Sequence, residues 1–137
     1  MSSKYSNDEY KTAWKGKTSS KQKAWGQEIT VGSLHQIQAK VLLLNANSFT
    51  TLKYYPTKNE VLFVRTGAVV VRYSSEKYLS YPETEELTDV ELHAGDVFFI
   101  QSSCPYQIFA KTDSEIFEIG DNSRALPVRF DEESQEI

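Results

Sequence analysis

The chain of 137 residues has a single cysteine, Cys104, and only two histidines, His35 and His93. One cysteine excludes an intramolecular disulfide and a cysteine-based zinc site. Only two histidines leave little nitrogen chemistry for a transition metal. No apolar run approaches the ~20 residues that a membrane-spanning helix needs, and the first residues lack a signal-peptide core. We therefore expect a cytoplasmic protein without a membrane partner. Glycine (6) and proline (4) are sparse, and there is no internal repeat.

What is present describes one globular domain: 39% hydrophobic and 25% charged residues, enough chain for a sizeable core. The net charge of −4 is unevenly spread. Six lysines against Asp8 and Glu9 give the first 24 residues +4, which leaves the remainder at −8. The lysines are scattered and unaccompanied by arginine, so a solvated arm is expected rather than a nucleic-acid surface. The expected organisation is a polar basic arm over 1–23, a β-barrel over 24–134 and an acidic tail over 135–137. Within the arm, "NDEYKTAW" is the one stretch that suggests a turn or two of helix.

Beyond the arm, short runs rich in β-branched and aromatic residues alternate with turn-formers such as "NAN", "PTKN", "HAGD" and "SSCP". The runs are 28–31, 36–44, 49–55, 60–66, 68–73, 89–93, 97–101, 106–110, 115–119 and 127–130. About ten short strands at this spacing predict a sandwich or barrel, most simply a jelly roll. Ser74–Asp89 is the one long connection, acidic and containing Pro82, and is expected to be an exposed loop.

Several of these pieces stand in an order that carries a resemblance. "AWGQE" at 24–28 looks like a Trp-Gly opening. "AKVLLLNAN" at 39–47 looks like a Val-Lys strand leading to a tight turn, and Glu60 stands seven residues before Gly67. "HAGDVFFIQSSCPY" at 93–106 looks like a Gly-Asp turn and strand, and "PVRFDEE" at 127–133 like a closing strand with acidic residues. Together they resemble the cupin superfamily, and more narrowly the C-terminal cupin domain of type II mannose-6-phosphate isomerases. The resemblance covers about residues 24–134 and implies an all-β, cupin-type jelly-roll β-barrel of about ten short strands. It also implies a site at four positions, where the family pattern has Gln or His, His, Glu and His. Here they hold Lys53, Tyr55, Glu60 and Tyr106.

Only the glutamate of that set survives. A lysine repels a divalent cation by several kcal/mol at short range, even at an effective dielectric of ~20. We therefore expect no metal and no other cofactor. Alternation puts Phe49, Thr51, Lys53 and Tyr55 on one strand face, which the resemblance turns into the barrel. A buried ammonium needs a partner, and Glu60 is the expected one.

Three outcomes stay open for these residues: a plugged pocket that leaves a dimerising scaffold, a pocket that binds a small molecule, and residual catalysis. The favoured reading is a metal-free binder of a sugar phosphate or nucleotide sugar through Lys53, Tyr55, Glu60 and Tyr106. Its alternative is a sugar isomerase or epimerase acting without metal, with no catalytic residue assignable. A homodimer is expected, since barrels of this kind cover sheet edges by pairing. His35, His93 and the half-buried thiol of Cys104 are read as structural. Arg65 and Arg72 are read as outer-sheet residues, "GDNSRALP" at 120–127 as a turn, and Trp14 and Trp25 as anchors of the arm or of an interface.

Overall fold

The computed structural model describes residues 10–130. Eleven strands lie along these described residues: β1 Ser19–Lys23, β2 Gly26–Leu34, β3 Ile37–Leu44, β4 Lys53–Tyr54, β5 Glu60–Thr66, β6 Ala68–Tyr73, β7 Thr88–His93, β8 Val97–Ile100, β9 Tyr106–Ala110, β10 Ser114–Gly120 and β11 Val128–Arg129. A single helical turn, α1 (Lys77–Ser80), lies in the long connection expected to be loop. The strands form two antiparallel sheets, ordered β1-β2-β3-β10-β5-β8 and β11-β4-β9-β6-β7. This is the expected jelly-roll barrel. Among the described residues, no helix is long and apolar enough to cross a membrane.

Three expected strands, β5, β6 and β9, match the observed bounds. β1 has no counterpart among the expected strands, because "SSKQK" is polar and almost entirely exposed. It forms only by pairing with the edge of β2, Lys23 opposite Gly26. "NDEYKTAW" lies partly outside the described residues; its described part, 10–14, has no helix. The tail at 135–137 also lies outside them.

Alternation places one residue in two on the inner face of each sheet. Leu42 and Leu44 of β3, Leu62 and Val64 of β5, and Ile116 of β10 meet Val69 and Val71 of β6 and Ile108 and Ala110 of β9, all buried. The same alternation then runs into polar residues at one end of the barrel. Following β5 back from Leu62 reaches Glu60, β10 onward from Ile116 reaches Glu118, and β9 back from Ile108 reaches Tyr106. Register brings them together, since Glu118 pairs with Lys40 and Tyr106 with Lys53. One barrel thus has an apolar end that holds the fold and a charged end that holds a cavity.

Candidate functional site

The charged end encloses a cavity of about 250 Å³. The barrel is therefore not packed solid by Lys53, Tyr55 and Tyr106. Lys53, Tyr55 and Tyr106 line the cavity, and Glu60 lies immediately behind Tyr106 and Lys58. All four predicted site residues thus gather at one place.

Their pairing differs from expectation. Glu60 is not the partner of Lys53; its ion pair is with Lys58, Nζ to Oε2 at 3.6 Å, both side chains buried. Lys53 instead lies over the Tyr106 ring, 5.1 Å from its centroid, with no carboxylate within ion-pair distance among the described residues. Lys58 also stands 4.7 Å above the Tyr55 ring. The reason is local. Gly120 faces Lys58, and a Cβ there would collide with the lysine Cε, so the missing side chain opens the slot that Lys58 fills.

The strand face also departs from simple alternation. Thr50, Lys53 and Tyr55 line the cavity, whereas Phe49 packs outward against Phe109 at 5.5 Å between ring centroids. Thr51 is buried but is not part of the lining. Phe49 is tied to Phe109 by one isolated bridge, and β4 is only two residues long, so no regular ladder enforces the alternation.

Glu118, like Lys58 and Trp25, is a residue of the site that sequence reasoning missed. It is buried and lies beside Glu60, and the Tyr106 hydroxyl stands between them, donating to Glu60 Oε1 at 2.6 Å with Glu118 Oε2 at 3.5 Å. Burial first, then the charge of Glu118, push the Glu60 carboxyl up to about 8. Burial also opposes the charge on Glu118. The hydrogen bond from Glu60 and the cations Lys53, Lys40 and Lys58 outweigh it and hold that carboxyl below its ordinary value. The pair therefore carries one proton at neutral pH, on Glu60, because two adjacent buried carboxylates cannot both ionise. Burial and the same carboxylates raise the Tyr55 and Tyr106 phenols above their ordinary value, so both remain hydroxyl donors.

A divalent cation does not fit these residues. It needs three or four converging N, O or S ligands, and among the described residues no three His, Cys, Asp or Glu side chains converge. The carboxylates at hand already share a proton, and the ammonium groups of Lys53, Lys58 and Lys40 surround them.

His35, His93, Arg65, Arg72 and Cys104 are placed outside this site. His35 and His93 are exposed, His93 Nε2 lying 2.9 Å from Glu91. Arg65 pairs with Glu115 at 3.2 Å and Arg72 with Asp89 at 2.8 Å. Cys104 is half-buried, and burial raises its thiol pKa. Trp25 is not an interface anchor. It is 2% exposed, belongs to the barrel core and borders the cavity. Ser123, Ala125 and Pro127 of the 120–127 turn also line it.

No protein-family model matches the sequence, and no curated protein does. Solved structures do match in fold. KdgF from a Halomonas species aligns at 16% identity and a TM-score of 0.59, over 72% of this chain and 79% of that one. Bacillus subtilis oxalate decarboxylase, described with Mn(II) centres, aligns at 16% identity and a TM-score of 0.65, over 87% of this chain and 30% of that one. The 11S globulin of Wrightia tinctoria, described with an auxin-binding site, aligns at 17% identity and a TM-score of 0.59. It is matched over 69% of this chain and 22% of its own length. The chain therefore spans under a third of the last two proteins. These neighbours are cupin-fold proteins, and the likeness shows that this barrel has the cupin fold.

Proposed function

We propose that this chain binds a small anion inside the barrel without a metal ion, a sugar phosphate or the sugar-phosphate portion of a nucleotide sugar. The observation that carries the reading is the charge of the cavity wall. Lys23, Lys40, Lys53, Lys58 and Arg129 line it against the carboxylates of Glu28 and Glu118, in a chain whose net charge is −4. A cationic surplus inside an acidic protein favours an anion, and Lys53 is already desolvated for direct contact. The volume of about 250 Å³ lies just below the range of ~300–1,000 Å³ usual for drug-sized ligands, which suits a monosaccharide derivative. The tyrosine hydroxyls and carboxylates supply the convergent polar groups that a sugar needs.

A thermal-shift series tests it. At 100 times its dissociation constant a ligand adds ~2.7 kcal/mol to stability, so a true ligand class raises the melting temperature by several degrees. A flat response to every sugar phosphate, sugar acid and nucleotide sugar overturns the reading.

A second reading, a metal-free sugar isomerase or epimerase, is favoured by one observation. Glu60 holds a proton beside the ionised Glu118 with the Tyr106 hydroxyl 2.6 Å from Glu60, an acid and a base in one site. In that role Glu118 would take a proton next to a sugar carbonyl, and Lys53 would stabilise the oxyanion. Exchange of a sugar C–H for deuterium in D₂O, lost in Glu118→Gln, separates it from binding alone.

The protein is further proposed to be a homodimer. Ile37 (62% exposed), Val61, Phe99 (73%) and Ile119 form one apolar patch on the outer face of the six-stranded sheet. An exposed apolar sheet face of this kind suits a twofold partner.

A further inference from the structure

The charged end of the barrel holds a buried acid pair beside the ammonium groups of Lys53 and Lys58. Glu60 and Glu118 are both buried, and a single hydroxyl, that of Tyr106, stands 2.6 Å from Glu60 Oε1 and 3.5 Å from Glu118 Oε2. Two carboxyls this close and this dry resist ionising together, so the pair keeps one proton through neutral pH. Glu118 lines the cavity, whereas Glu60 lies behind the lining. Lys58 connects Glu60 to it, since Lys58 lines the cavity and its Nζ lies 3.6 Å from Glu60 Oε2.

The proton therefore sets how much lysine charge a ligand meets. Around Glu60, β10 supplies Glu118, β9 supplies Tyr106, and the turn before β5 supplies Lys58. On the other side β8 places the uncharged Ile100 opposite it. Farther out, Lys53 of β4 lies over the Tyr106 ring, and Lys40 of β3 is paired with Glu28 of β2 at 3.3 Å. Burial raises the Tyr55 and Tyr106 phenols, which keep their protons. With Glu60 neutral, Lys53 and Lys58 face one carboxylate, Glu118. With Glu60 ionised they face two, and the new charge lies 3.6 Å from Lys58. Losing one unit of net positive charge in a poorly hydrated cavity weakens its hold on an anion.

We propose that anion binding in this cavity requires the proton of the Glu60–Glu118 pair, and that Lys58 is the group through which the ligand senses it. The inference rests on the anion-binding reading and adds its regulation: the site holds its anion at neutral pH and releases it in alkaline solution. Glu60 is the member that titrates there. Burial, then the charge of Glu118, raise its carboxyl to about 8. Glu118 is held low, against its own burial, by the hydrogen bond from Glu60 and by the lysines, and stays ionised. A proton retained up to about pH 8 supports binding below that value and is lost above it.

Calorimetric titration of the full chain at about pH 7 and about pH 9, shown folded at both by circular dichroism, tests this. The probes are glucose 6-phosphate and glucuronate, whose own charge changes little over that range. A site that needs a group half-protonated near pH 8 is about tenfold less available at the higher pH, so the probe that binds should weaken about tenfold. At the higher pH the complex should also take up most of one proton, read from the heats in two buffers of different ionisation enthalpy. Both effects should vanish in Glu60→Gln, whose side chain does not titrate. The buffer comparison uses the parent alone, so it decides even if the variant folds poorly. Level affinity across the range, or no proton uptake by the parent, overturns the inference and leaves the anion pocket standing. A parallel weakening in parent and Glu60→Gln does the same, since it assigns the titration to other groups. No binding by either probe at about pH 7 overturns the pocket reading and this inference with it.

Discussion

Replacing Glu60 by glutamine reads the shared proton directly. Glutamine matches the protonated carboxyl in shape, accepts the Tyr106 hydroxyl at one atom and offers a donor at the other, so the variant mimics the state assigned to the native protein at neutral pH. The side chain is 1% exposed, so solvent screening does not dilute its titration. Its carboxyl pKa is about 8 when folded against an ordinary 4.5. Between those values the folded chain keeps a proton that the unfolded chain has released, so stability falls as pH rises. The contribution is present in full below pH 4.5 and gone above pH 8. Glu118, shifted downward, acts only below its unfolded value and leaves this window to Glu60. Each pH unit inside the window is worth about 1.4 kcal/mol, so from about pH 5.5 to 7.5 the parent loses on the order of 3 kcal/mol relative to Glu60→Gln. Urea denaturation of both proteins across that range gives the difference, in which every other titrating group cancels. Parallel stability–pH curves would refute the proton on Glu60 and, with it, the paired acid and base.

The same denaturation series distinguishes the lysines. Lys58→Met should lower stability by ~3 kcal/mol or more above pH 8, where it strands a buried Glu60 carboxylate, and much less near pH 6, where Glu60 is neutral; an equal loss at both would place the partner elsewhere. Elemental analysis of protein purified without added metal should find far less than one ion per chain, and a stoichiometric metal that disappears in Glu60→Ala would contradict the fit of the donor set. Light scattering should find a dimer in the micromolar range and a monomer for Phe99→Glu, which places a charge in the middle of the exposed patch; a monomeric parent would remove the proposed interface.

Much of this is legible in the sequence, and the parts that are not have physical reasons. Regular two-residue alternation in "EVLFVRT" and "YQIFA" decides which side chains face inward, so the inward placement of Glu60 and Tyr106 follows from the order of residues alone. "EIFEI" defeats the same logic, because its two faces, Glu115–Phe117–Ile119 and Ile116–Glu118, are equally mixed. Only pairing with β3 and β5 decides that Ile116 and Glu118 go in. Lys58 lies in "PTKN", a composition that reads as solvated turn. Its burial depends on Gly120, a residue remote in sequence. Lys53 is buried, as alternation predicts, but Glu60 is not its partner, since a short β4 with a single register contact sets no diagonal neighbours. Trp25 escapes sequence reasoning because it follows a polar arm, and nothing local reveals that the turn after β1 folds the ring into the barrel.

The central claim is that the barrel binds anions through desolvated lysine rather than through a metal. Isothermal titration calorimetry of the chelator-treated protein with glucose 6-phosphate, glucuronate and neutral glucose, in parallel with Lys53→Met, tests it most directly. The account predicts binding of at least one of the charged sugars, weak or absent binding of glucose, and a loss of at least about tenfold in the variant, since a hydrogen bond to a charged group is worth ~1.5–3 kcal/mol. Binding that needs added metal, equal affinity for neutral glucose, or full affinity in Lys53→Met would contradict it.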